Sequence, residues 1–208
     1  MDLHWDILDR KRRQILPTLA VLKSDGFYLA GGTALALQLG HRTSFDFDFY
    51  RAEDFEPRIV TERFGHGFVA AVATQGTVTG DLRNIHLSFF RYAYPLIRPL
   101  IDADSLSLAS LEDLAAMKLL AIAQRGKKRD FIDLYLLCRR FPLRKILDWT
   151  KEKFPTFDAY TGLRGLVYFQ DAENERQRQG FRLLMPLKWD SVKSYFVRAA
   201  QDEMRRLH

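Results

Sequence analysis

The chain has 208 residues, 47% of them hydrophobic and 28% charged, a balance that suits one ordinary globular domain or two small ones and excludes a disordered or collagen-like chain. One cysteine, Cys138, excludes a disulfide framework and any multi-cysteine zinc site, and no stretch approaches about 18 apolar residues without a charge, so no membrane span is expected. Thirty-two Lys and Arg against 26 Asp and Glu give a net charge of +6, which permits a polyanionic partner without demanding one.

The chain opens on MDLHWDILDRKRRQ. Early acids and the lack of an apolar h-region argue against a signal peptide, so a cytoplasmic location is the default expectation. Residues 27–30 form a short apolar run stopped by Gly31-Gly32, and residues 33–39 suit a short helix ended by Gly40. Residues 44–50 alternate: Phe45, Phe47 and Phe49 point one way, and Ser44, Asp46 and Asp48 the other. Residues 53–64 form a weaker helical stretch. Residues 68–73 and 77–82 are strand-like, with Gln75-Gly76 as a hairpin turn, and residues 85–92 are a further aromatic-rich strand.

After Pro95 and Pro99 the character changes. Residues 111–124, 130–140, 143–154, 160–175 and 191–206 all suit helices, punctuated by Gly126, Pro142, Gly180 and Pro186. The pattern is α+β: a small sheet with flanking helices, then a helical bundle. The boundary is expected near residues 100–108, giving a core over 1–105 and a helical domain over 106–208.

The most informative segment holds Asp46 and Asp48. A period of two puts both carboxylates on one strand face, with the phenylalanines fixing the register. Aspartate is a poor strand former, and two parallel carboxylates without a cation repel each other. A bound Mg²⁺ would remove that cost and bridge nucleotide phosphates. A polar strand face that happens to be acidic would look the same in isolation. Gly31-Gly32-Thr33 adds a glycine turn at a helix start, where backbone N–H groups and the dipole receive phosphate. Thr33 offers either a hydroxyl ligand or an N-cap. Arg42 and Ser44 are further candidate phosphate contacts.

The order G-G-T-A-L followed by H-R-T-S-F-D-F-D-F resembles the nucleotidyltransferase superfamily, and more narrowly the AbiEii/AbiGii toxin family of bacterial nucleotidyltransferases. A second block supports it: M-K-L-L-A-I-A-Q-R-G-K-K-R-D-F-I-D-L, from Met117 to Leu134. In that block Lys118 falls inside an apolar helical stripe of Leu111, Leu114, Ala115, Leu119 and Ile122. A lysine there either snorkels or reaches a partner acid or a triphosphate. Arg125, Lys127, Lys128 and Arg129 surround Gly126, either as a solvated face or as a polyphosphate or RNA contact. Asp130 and Asp133 are helical neighbours. Asp130 also suits a helix first turn, and Asp133 a pairing with Lys118 or Arg125. The resemblance implies that the lysine and one aspartate are needed for activity; Asp130 is the preferred match.

The pattern departs from the superfamily in one place. Many members carry a third carboxylate on a later strand. Here that strand reads N-I-H-L-S-F-F from Asn84 to Phe90, with His86 and Ser88 on the relevant alternation and no acid. A satisfied structural histidine is the expected role of His86.

These residues together describe a Mg²⁺-dependent enzyme moving an NMP unit from an NTP to an acceptor hydroxyl. In that scheme Asp46 and Asp48 hold the metal. Gly31, Gly32, Thr33, Arg42, Ser44 and Arg125 bind nucleotide. Lys118 and Asp130 complete the catalytic set. The resemblance further implies the toxin of a toxin–antitoxin pair, GTP or another NTP as donor, a tRNA-like acceptor and a cognate antitoxin. Two alternatives remain open: a catalytically decayed nucleotide-binding module with a regulatory role, and transfer to a small-molecule alcohol.

Overall fold

The computed structural model describes residues 2–176 and 179–207. The chain divides into two compact units, residues 1–110 and 111–208.

The first unit begins with a 3-10 turn, Trp5–Ile7, and helices α1 (Arg10–Leu19) and α2 (Val21–Ser24). Asp9 caps α1, accepting from the backbone N–H of Arg12 at 2.9 Å. Strand β1 (Tyr28–Ala30) runs directly into α3 (Gly31–Leu39), which Gly40 closes in the left-handed conformation. Then come β2 (Phe47–Arg51), α4 (Arg58–Phe64), β3 (Phe68–Thr74), β4 (Thr77–Leu82), β5 (Ile85–Arg91), β6 (Ile101–Ala103) and β7 (Leu106–Leu108). The seven strands form one mixed sheet in the order β3-β4-β5-β2-β1-β7-β6. Strand β7 pairs with β1 in parallel, so the sheet continues through residue 108.

Alternation along β2, β4 and β5 separates two faces. Phe47, Phe49, Val78, Leu82, Ile85, Leu87 and Phe89 are all buried. Phe49 stacks on Phe89 at 5.4 Å, and Phe27 meets Phe89 edge-on at 5.5 Å. Each such ring contributes roughly 1.5–3 kcal/mol by burial. A one-residue slip of β2 would lose that set, so the aromatic face holds Asp48 on the opposite side.

The second unit is helical: α5 (Leu111–Arg125), α6 (Lys128–Cys138), α7 (Leu143–Lys153), α8 (Ala159–Leu166), α9 (Gln170–Asn174) and α10 (Trp189–Leu207). Leu111, Leu114, Ala115, Leu119 and Ile122 are buried, as the stripe on α5 predicts. Cys138 is half-buried, and burial pushes its thiol up to about 12, which keeps it inert.

Four expectations need correction. The 44–50 strand begins only at Phe47, because Asp46 and the residues before it are tied to α3 by side-chain bonds instead of a ladder. The 53–64 helix begins only at Arg58, immediately after Pro57. The 160–175 helix is two helices, α8 and α9, separated at Val167–Phe169. Helix α1 and strands β6 and β7 were not expected from the sequence.

Candidate active site

The candidate site of the first unit lies where β1 ends and β2 and β5 begin. Ala30 pairs with Asp48 across the antiparallel β1–β2 ladder, and Asp48 pairs with Ser88 across the parallel β2–β5 ladder. Register partners share a face, so Ala30, Asp48 and Ser88 form a row.

The glycine turn packs against that row. Gly31 has φ +65, and a Cβ placed there would sit 3.0 Å from Asp48 Oδ2. A Cβ on Gly32 would sit 2.5 Å from Arg42 Nη2. Gly31 is required by its backbone conformation, and a Cβ at either position would crowd the Asp48 or Arg42 side chain. The Asp48 carboxylate consequently lies over the first turn of α3, where backbone N–H groups lack intrahelical partners. Gly31→Ala is expected to cost about 1–2 kcal/mol from the left-handed backbone alone. It should also displace the Asp48 carboxylate. A melting curve reads the first effect, and loss of metal-dependent nucleotide binding reads the second.

Arg42, Thr33 and Ser44 are buried supports. Arg42 is 3% exposed; its guanidinium donates to the carbonyls of Thr43 at 3.1 Å and Gly32 at 3.3 Å. The Thr33 and Ser44 hydroxyls lie 2.7 Å apart, and Thr33 Oγ1 also donates to the Asp46 carbonyl. Thr33 does not cap α3, whose N-cap is Ala30. These three side chains hold the segment leading to Asp46 against the start of α3. Both hydroxyls have protein partners within the first unit.

Asp46 lies one residue before β2 and is half-buried, as is Asp48. Among the described residues no group of three or more His, Cys, Asp and Glu side chains could hold a metal ion. Two carboxylate residues fit a hard cation that keeps several water and phosphate oxygens, as Mg²⁺ does, and do not fit a closed all-protein cage.

The second unit holds its own charged cluster. Lys118 on α5 is 7% exposed, and its Nζ lies 2.7 Å from Asp130 Oδ1 and 2.7 Å from Asp133 Oδ2, both on α6. Asp130 and Asp133 are one turn apart on that helix, so one lysine reaches both. Asp130 Oδ2 is buried without a hydrogen bond, and Arg125 Nη2 stands 3.9 Å from it. Of the roles the sequence leaves open for Lys118, the structure shows the partner-acid one: its ammonium contacts both acids. Removing Lys118 takes away the ammonium that both buried acids contact. Lys118→Ala is expected to destabilise the fold by about 3–5 kcal/mol, measured by denaturant titration.

Sequence reasoning missed one pairing. His86 has a protein partner, as a satisfied histidine should, with Nδ1 3.2 Å from Asp81 Oδ1, and its side chain is exposed. The signal was available: Arg83 and Asn84, both with positive φ, make the two-residue hairpin turn that sets Asp81 opposite His86.

A mixed sheet carrying a carboxylate beside a glycine turn at a helix start defines a nucleotidyltransferase fold. The chain belongs to the nucleotidyl transferase AbiEii toxin family of type IV toxin–antitoxin systems, whose model matches residues 14–205. It is therefore a nucleotidyltransferase by family. It is 34% identical over 206 residues to an uncharacterized protein of Aquifex aeolicus strain VF5, covering 94% of this chain and 97% of the relative. Among solved structures it is similar to JHP933 from Helicobacter pylori, with TM-score 0.56 and 18% identity over 96% of this chain and 94% of that one. It is also similar to MenT4, a nucleotidyltransferase toxin of Mycobacterium tuberculosis H37Rv, with TM-score 0.52 and 17% identity over 91% of this chain and 82% of that one. No helix among the described residues is long and apolar enough to cross a membrane.

Proposed function

We propose that this nucleotidyltransferase toxin transfers an NMP unit from an NTP, with Mg²⁺, to a hydroxyl of an RNA acceptor such as tRNA. The observation that carries this is the Asp48 carboxylate set against Gly31 at the start of α3, with Asp46 two residues before it. Asp46 and Asp48 would hold the metal ion, which when bound offsets phosphate charge and polarises the reacting phosphoryl group. The backbone at Gly31 and Gly32 would receive the triphosphate, since neither residue carries a side chain of its own. Arg42, Thr33 and Ser44 position that backbone. Lys118 and Asp130 are the second motif's contribution. Lys118 holds Asp130 and Asp133 in place, and Asp130 in turn faces Arg125.

The acceptor class rests on charge. Arg125, Lys127, Lys128 and Arg129 follow one another around the α5–α6 break, and Arg125 is largely exposed. A cluster of that kind suits a polyanion more than a neutral small alcohol. As a toxin of a type IV system the chain would be counteracted by a cognate antitoxin.

The test incubates the protein with Mg²⁺, each α-labelled NTP and total tRNA. Label appearing on RNA, with pyrophosphate released in equal amount, supports the reading. Metal-dependent NTP binding without transfer to RNA or to any small alcohol would point to a decayed module instead.

A further inference from the structure

The superfamily's third carboxylate is missing from β5, and the sheet register shows what stands in its place. Ser88 is the β5 partner of Asp48, so His86 lies two residues nearer the start of β5 on the same face. Asp81, at the end of β4, is the register partner of His86. The start of β2, the start of β5 and the end of β4 coincide, because β5 is parallel to β2 and antiparallel to β4. Asp48, Ser88, His86 and Asp81 therefore occupy one end of one sheet face.

Within that group the His86 imidazole presents Nδ1 to Asp81 Oδ1 at 3.2 Å. A carboxylate on Nδ1 fixes the tautomer with the proton there and leaves Nε2 with a lone pair. The side chain is 44% exposed, so a large acceptor can reach the imidazole. Neither residue has a core role: both are exposed, while their strand neighbours Leu82, Ile85 and Leu87 are buried. An exposed hydrogen-bonded pair of this kind adds little to stability.

We infer that His86, oriented by Asp81, is the general base that takes the proton from the acceptor hydroxyl. This rests on the nucleotidyl transfer proposed above. The acceptor oxygen forms a bond to the α-phosphorus while the bond from that phosphorus to the bridging oxygen breaks. Pyrophosphate leaves with the electron pair. The hydroxyl proton moves to His86 Nε2 and from there to water. Asp81 stabilises the imidazolium that forms and holds the ring in place, so it is a positioning residue.

The experiment compares wild type, His86→Ala and Asp81→Asn in single-turnover transfer from α-labelled NTP to tRNA, with Mn²⁺-dependent binding of a non-hydrolysable NTP measured alongside. His86→Ala is expected to bind nucleotide as wild type does and to transfer about a hundredfold or more slowly. Added imidazole should restore part of its rate, an effect that a structural defect would not show. Asp81→Asn should transfer more slowly than wild type with unchanged nucleotide binding, and imidazole should not rescue it. Transfer by His86→Ala at the wild-type rate overturns the assignment while leaving nucleotidyl transfer intact. A wild-type protein that labels no acceptor overturns both.

Discussion

Asp48→Asn should abolish nucleotide transfer while leaving the fold intact. Asparagine keeps the size of the side chain and removes the charge. Asp48 lies half-buried between Ala30 and Ser88 and against Gly31, so an amide fits the same space. What is lost is the anionic oxygen that would face a metal and its nucleotide. Removing one group aimed at charge that develops in the transition state costs about 100- to 1,000-fold in rate. A drop of at least about a hundredfold is therefore expected, with an unchanged melting curve. The comparison variant is Ser44→Ala, which removes a partner of the Thr33 hydroxyl without touching either carboxylate. It should slow transfer far less than Asp48→Asn. The assay is label transfer under saturating NTP.

Lys153→Ala, like Lys118→Ala, should strongly destabilise the fold. Lys153 on α7 and Asp113 on α5 are each about 1% exposed, with Nζ 2.7 Å from Oδ1. No sequence signal marked either residue as buried, since the pairing joins residues 40 apart on two different helices. Removing one partner of such a buried pair costs about 3–5 kcal/mol. For a chain of this size each kcal/mol lowers Tm by about 2–4 °C, so a fall of roughly 6–20 °C is expected. Replacing both partners together, as Lys153→Met with Asp113→Leu, should recover most of that loss, because no lone charge remains. Differential scanning calorimetry of the two single variants and the double variant closes the cycle. A double variant as unstable as the sum of the singles would mean that the pair is not coupled.

The fold was legible wherever periodicity acts alone. Strands β3, β4 and β5 and helices α5, α6, α7 and α10 lie within a few residues of the stretches their apolar patterns mark. Periodicity failed where tertiary bonds replace it. The alternation from Ser44 to Tyr50 is unbroken in sequence, yet its first half is held by Thr33 and not by a neighbouring strand. Strands β6 and β7, three residues each, are too short to show a period.

Of the candidate site, the glycine turn and Asp48 could be read from sequence because their spacing is local. The engagement of Lys118 by both Asp130 and Asp133 could not be settled, since it depends on how α6 packs on α5. The pairing of His86 with Asp81 follows from the register of the hairpin between them.

The central claim is that Asp46, Asp48 and the glycine turn form the metal and nucleotide site. Its most direct test is electron paramagnetic resonance of Mn²⁺ titrated into the protein with a non-hydrolysable NTP. Wild type should hold Mn²⁺ in a nucleotide-dependent way, and Asp46→Asn and Asp48→Asn should each weaken that binding by at least about tenfold, a loss of about 1.4 kcal/mol. Nucleotide-dependent Mn²⁺ binding of undiminished strength in both variants would contradict the account.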